Sequence, residues 1–232
     1  MTIKFDIMKK IAFSDYYYLT RAVIDGNKTV TRRILPVQQP TDEFGWKVVI
    51  LGSTTETKNK KNIGKFHWVR TDKSMLNVLD SSDLFFEPAY KVGDIVAIAQ
   101  CYYDVFRNST EDVTKEFKKE AGWNNKMFVK ADRMPHQIKI TGLHIERLQD
   151  ITDHECMREG VRESTAFGRK TYIVGGCLGD YETPREAFAA LMDKLCGRGT
   201  WESNPCVWVY EFEKVKWHGK TEINSKALKM AL

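Results

Sequence analysis

No stretch of the 232 residues approaches about 18 consecutive apolar side chains, so nothing in the sequence reads as a membrane-spanning helix. The start, MTIKFDIMKKIAF, lacks an apolar core and a small-residue cleavage site, so no secretory leader is expected there. Neither GxGxxG nor GxxxxGK[ST] occurs, which leaves dinucleotide and P-loop chemistry without support. There is no CxxC pair. The five cysteines, Cys101, Cys156, Cys177, Cys196 and Cys206, are odd in number and widely spaced, which argues against a zinc site and a secreted disulfide framework. Most are expected to be small buried hydrophobes. HExxH and the zinc-deaminase signature are also missing. His136 and His144 stand about 26 Å apart at strand rise, too far to share a metal. No metal and no cofactor is expected.

What remains is an ordinary globular composition: 42% hydrophobic, 29% charged and 12% aromatic. Lys plus Arg numbers 36 against 31 for Asp plus Glu, a formal charge of +5. That excess permits nucleic-acid binding without demanding it. A cytoplasmic protein of a bacterium or phage-infected cell is expected.

Three helices carry end signals. One runs from about Ser14 to Asp25, with Ser14 as cap and Gly26 as stop. Another follows Thr152, whose hydroxyl pairs with Glu155 in a capping box before Gly160. The strongest begins at Thr183–Pro184, carries Phe188, Leu191, Met192 and Leu195 at helical spacing, and ends at Gly197. Ile95–Cys101, Met127–Ala131, Ile138–Leu148 and Val207–Val215 read as strands. Trp46–Leu51 and Lys65–Arg70 read as a weaker pair around the basic loop that holds Lys58, Lys60 and Lys61. Many strands with few, segregated helices predict an α+β domain or a small barrel.

Four segments, in order, carry a resemblance: DGNKTVTRRIL at Asp25–Leu35, YKVGDIVAI at Tyr90–Ile98, IKITGLHIERLQDITDHECMREGV at Ile138–Val161 and NPCVWVYEFEKV at Asn204–Val215. Together they resemble the ASCH family of the PUA-like β-barrel superfamily, in its phage and prophage form. The resemblance implies one domain over residues 1–216, a small barrel with flanking helices. Insertions interrupt it at 37–88, 104–122 and 163–182, and a tail covers 217–232. It also implies a cleft beside KTVTRR and an association with RNA and modified nucleotides. Some small ASCH members are amidohydrolases that deacetylate acetylated cytidine. Carried over from them, Lys28 and Thr31 match the catalytic Lys and Thr, Gly26 the preceding glycine, and Arg33 the arginine. The family's catalytic Glu falls on Lys139 here, within QIKIT, so the nearest substitute acids are Glu146 and Glu211.

The chemistry weighs both ways. A threonine hydroxyl needs a base, and a lysine serves as one only when burial or a neighbouring cation lowers its pKa. Arg32 and Arg33 supply positive charge, and guanidinium forks suit phosphate. Trp68 and Trp123 border polar insertions and are candidates for base stacking, whereas Trp208 reads as core. The leading expectation is a binding module for single-stranded RNA or a modified nucleoside, using Lys28, Thr29, Thr31, Arg32, Arg33 and Lys139. The alternatives are the amidohydrolase acting through Lys28 and Thr31, and a phage accessory protein that binds another protein.

Overall fold

The computed structural model describes residues 8–40, 46–50, 65–71, 78–81, 83–107, 113–165, 168–175 and 178–215. The loop lysines Lys58, Lys60 and Lys61, Cys177 and the tail 217–232 lie outside them.

The last strand, β11 (Cys206–Lys214), shows how sequence sets the architecture. CVWVYEFEK is β-branched and aromatic, and every residue from Cys206 to Tyr210 is buried. A strand covered on both faces carries no polar alternation. It pairs antiparallel with β7 (Gln137–Arg147) on one side and with β2 (Val30–Ile34) on the other. β7 pairs antiparallel with β6 (Ile95–Ile98), and β6 runs parallel to β1 (Lys9–Ile11). The result is a five-stranded sheet in the order β1-β6-β7-β11-β2, with β1 and β2 at its edges.

Two smaller antiparallel sheets accompany it. β3 (Trp46–Ile50), β4 (Phe66–Thr71) and β5 (Val78–Ser81) form one, so the weaker strand pair is present in the expected register zone. β8 (Val161–Ser164), β9 (Thr171–Val174) and β10 (Leu178–Tyr181) form the other. The class is α+β. The closed small barrel is corrected: among the described residues the strands form three separate sheets. One expected strand is also replaced. Met127–Ala131, expected as a strand, instead folds into 3-10 turns at Lys126–Phe128 and Ala131–Arg133. The Asn125 side chain accepts from the Met127 amide, a local bond that competes with any ladder.

The helices follow their end signals with one change. α1 spans only Leu19–Ile24, because Tyr18 sits in the left-handed region at φ 55° and separates the Ser14–Tyr18 turns from the helix. Gly26 takes φ 82°, as a stop residue does. α2 (Tyr102–Phe106) straddles the start of the second insertion zone. α3 (Asp153–Arg158) carries the Thr152–Glu155 capping box and ends at Gly160 with φ 106°. α4 (Pro184–Cys196) is capped by Thr183 and buries Ala187, Phe188, Leu191 and Met192 on one stripe. Leu195, expected on that stripe, is exposed. α5 (Thr200–Ser203) leads into β11.

The main core joins the five-stranded sheet, α4, β8–β9 and the β4 region. Trp208 anchors it, edge-on to Phe66 at 5.0 Å and Phe86 at 5.9 Å. Trp68 is corrected from stacking candidate to core: it is 3% exposed and its indole donates to the Val37 carbonyl at 3.0 Å. Trp123 packs partly buried against a second core around Tyr102, Phe106 and Phe117. Cys156 and Cys206 are buried, Cys101 is half-buried and Cys196 is exposed. Burial pushes the Cys156 thiol up to about 12, so it acts as a hydrophobe. Among the described residues no helix is long and apolar enough to cross a membrane.

Candidate functional site

The KTVTRR segment opens at the end of α1. Gly26 turns the chain, and the Lys28 amide donates back to the Ala22 carbonyl at 3.0 Å. From Val30 onward the chain is β2, and strand alternation sends neighbouring side chains to opposite faces. Arg33 pairs in register with Trp208 and Arg32 with Val209. The two arginines therefore serve different surroundings.

Arg32 points inward, and its side chain has no exposed surface. Its Nε donates to Glu146 Oε1 at 2.7 Å and its Nη1 to Glu159 Oε1 at 3.2 Å. Glu155 Oε1 lies 3.4 Å from Nη2. Lys28, 2% exposed, donates to the Glu159 main-chain carbonyl at 2.7 Å and to its carboxylate Oε2. Glu159 caps the C-terminus of α3, where the helix dipole disfavours an anion. Lys28 offsets this by binding both the acid and the carbonyl there. At the surface, His144 Nε2 stands 3.2 Å from Glu146 Oε2. A continuous chain of charged groups thus runs from His144 through Glu146, Arg32 and Glu159 to Lys28.

This arrangement sets the titration behaviour. Burial lowers the Lys28 pKa, with Arg33 and Arg32 adding to the effect and the Glu159 carboxylate opposing it. Burial alone would raise the Glu155 carboxyl. Hydrogen bonds from Thr152 and the charge of Arg32 outweigh it and hold the group below the ordinary glutamate range. Such a group contributes stability above its unfolded value, about 4.3, and loses it as pH falls through the depressed native value. Urea midpoints measured from neutral to acidic pH should therefore fall, and Glu155→Gln should shrink that fall. An identical acid profile for the variant would contradict the geometry.

A cavity of about 200 Å³ is lined by Lys28, Thr31, Arg32 and Glu159 on its polar side and by Phe188 and Leu191 of α4 on its apolar side. Arg33 is exposed and also lines this cavity. Its Nη2 donates to the Ala12 carbonyl at 2.8 Å, and its guanidinium lies 5.7 Å over the Phe13 ring. It borders a cleft of about 470 Å³ with Lys10, Lys126, Tyr90, Trp208 and Tyr210. The Tyr90 and Tyr210 rings meet edge-on at 5.4 Å. The Tyr90 hydroxyl donates to the Lys10 carbonyl, and the Tyr210 hydroxyl accepts from the Ala89 amide. Lys10 is tied to the Met127 and Val129 carbonyls and Lys126 to Asp15 at 2.7 Å, so both ammonium groups are held in place.

The expected site is thus divided. Lys28 and Arg32 do not line an open cationic cleft, because internal carboxylates neutralise them. Thr29 is occupied in the joint with α3: its amide donates to the Arg158 carbonyl and its hydroxyl accepts from Arg158 Nε. Lys139 is exposed on β7, in register with Ile95 and Glu213, and lines neither the cleft nor the cavity. Of the substitute acids, Glu146 binds Arg32, and Glu211 pairs with Arg158 at 2.8 Å. The carboxylate at Lys28 is Glu159, which sequence reasoning missed. Its signal was an acid at the last position before a helix-ending glycine, where a cation is favoured.

The chain matches no protein-family model, no curated protein and no solved structure.

Proposed function

We propose that this chain is a binding module for a nucleotide-like ligand, either single-stranded RNA or a modified nucleoside, in the manner its ASCH and PUA-like sequence resemblance implies. The cleft on the Arg33 side of β2 is its seat. One observation carries the reading: Arg33, Lys10 and Lys126 ring an aromatic wall of Tyr90, Trp208 and Tyr210 in a single concavity. Cations beside aromatic faces are the chemistry that holds a phosphate and an unpaired base together.

The test is a titration with short single-stranded RNA and DNA and with nucleoside monophosphates. Lys126 is paired with Asp15, so up to two phosphate contacts, from Arg33 and Lys10, give a slope of roughly −1.4 for log K against log salt on a single strand. Arg33→Ala should weaken binding about tenfold or more, the loss of one charged hydrogen bond. Absence of saturable binding, salt independence or an unchanged Arg33→Ala variant would reject the proposal.

A second reading has its own support. Lys28, Thr31 and Glu159 line one small cavity, so a carboxylate stands beside the lysine although QIKIT lacks the family's acid. Burial lowers the Lys28 pKa, the direction a base requires, while its Nζ donates to Glu159. This amidohydrolase releases acetate from acetylated cytidine and stops in Thr31→Ala. No turnover at high protein concentration would discard it.

A further inference from the structure

A second concavity, about 520 Å³, lies between the β3–β4 pair and strands β7 and β11. Its walls are Phe66, Trp68 and Trp208, three aromatic side chains from two different sheets. The size falls within the range of small-ligand pockets, and the wall suits a flat apolar body. Its polar groups are Lys47, Arg147, His144, Glu146 and Gln39. Charge decides what they favour. The Glu146 carboxylate is engaged by the buried Arg32 guanidinium at 2.7 Å, so its charge is answered from inside the protein. Its other oxygen meets His144 Nε2 at 3.2 Å, which fixes the orientation of a half-exposed imidazole. Arg147 is tied to the Asn204 carbonyl and the Gln39 side-chain oxygen, and with Lys47, half-buried on β3, it makes the pocket positive.

We propose that this concavity is a separate binding site for a planar aromatic anion. The flat body lies against the half-buried Phe66, backed by the core indoles of Trp68 and Trp208, the anionic group meets Lys47 beside Arg147, and the oriented His144 hydrogen-bonds the ligand. The site shares only Trp208 with the Arg33 cleft and stands whether or not that cleft binds nucleotides.

Trp68 and Trp208 make the test direct, because a ligand on that wall alters their fluorescence. The 232-residue chain is titrated with 2-naphthoate, with 2-naphthyl phosphate and with the neutral 2-naphthalenemethanol. Saturable binding of at least one anion, about tenfold tighter than the neutral compound, is expected. The carboxylate and phosphate arms identify which anionic group is preferred. Lys47→Glu and Lys47→Met should each weaken the anion about tenfold or more and leave the neutral compound unchanged. His144→Gln should weaken it less, and Arg33→Ala should leave it unaltered. An anion that binds no tighter than the neutral compound overturns the proposal. So does an anion that ignores both Lys47 variants, or one that is lost in Arg33→Ala. The oligonucleotide titration fails or succeeds through Arg33 alone, so the two sites are separable.

Discussion

Glu159→Gln should lower folding stability by about 3–5 kcal/mol, the usual cost of leaving one member of a buried ion pair without its partner. The substitution keeps shape and removes charge. Arg32 retains Glu146 and Glu155, but Lys28 keeps no carboxylate among the contacts described. The double variant Lys28→Met, Glu159→Gln should recover most of the loss, because the uncompensated ammonium is gone. A pH signature separates this from simple loss of packing. Glu159 opposes the effect of burial on Lys28, so its removal depresses the lysine further. The unfolded chain then binds more protons than the native one, and the stability of Glu159→Gln should rise as pH climbs toward the unfolded lysine value, about 10.4. Urea denaturation of the single and double variants at two pH values decides it. A wild-type midpoint for Glu159→Gln would mean that the charge at this position is irrelevant to folding.

Trp208→Ala should cost a similar amount, about 3–5 kcal/mol, through lost transfer energy and the cavity left behind. Two edge-on aromatic contacts, to Phe66 and Phe86, account for roughly 0.5–1.5 kcal/mol each of that total. The consequence should be uneven across the molecule. Phe66 belongs to β4, and Trp208 joins that sheet to β11. Hydrogen exchange should therefore quicken more in β3 and β4 than in the β7–β11 ladder, which has nine register pairs of its own. Trp208→Phe should retain part of the joint. Uniform acceleration across all strands would show that the small sheet does not depend on this contact.

What the sequence revealed follows from how local each cause is. The α3 and α4 boundaries rest on Thr152, Gly160, Thr183, Pro184 and Gly197, whose effects act within a turn, and these were readable. β11 was readable because its composition allows little else. Lys126–Arg133 was not, because a bond from the Met127 amide to the Asn125 side chain and burial of Val129 in the core that holds Tyr102 decide it. Trp68 looked peripheral because it borders polar chain, yet its partners Val37 and Phe86 are distant in sequence. The site failed for the same reason. Lys28 meets Glu159 and Arg32 meets Glu146 across more than a hundred residues, and no spacing rule encodes such meetings.

Arg32 and Arg33 are adjacent in β2. As letters they are one doubled positive charge. As strand neighbours they are a bolt and a hook: Arg32 fastens carboxylates inside the fold, while Arg33 is presented to whatever enters the cleft. Removing Val30 would turn Arg33 inward and set Ile34 at the cleft without altering the charge count. The fastening would survive and the recognition would not, so charge conservation alone is a poor guide to which changes this segment tolerates.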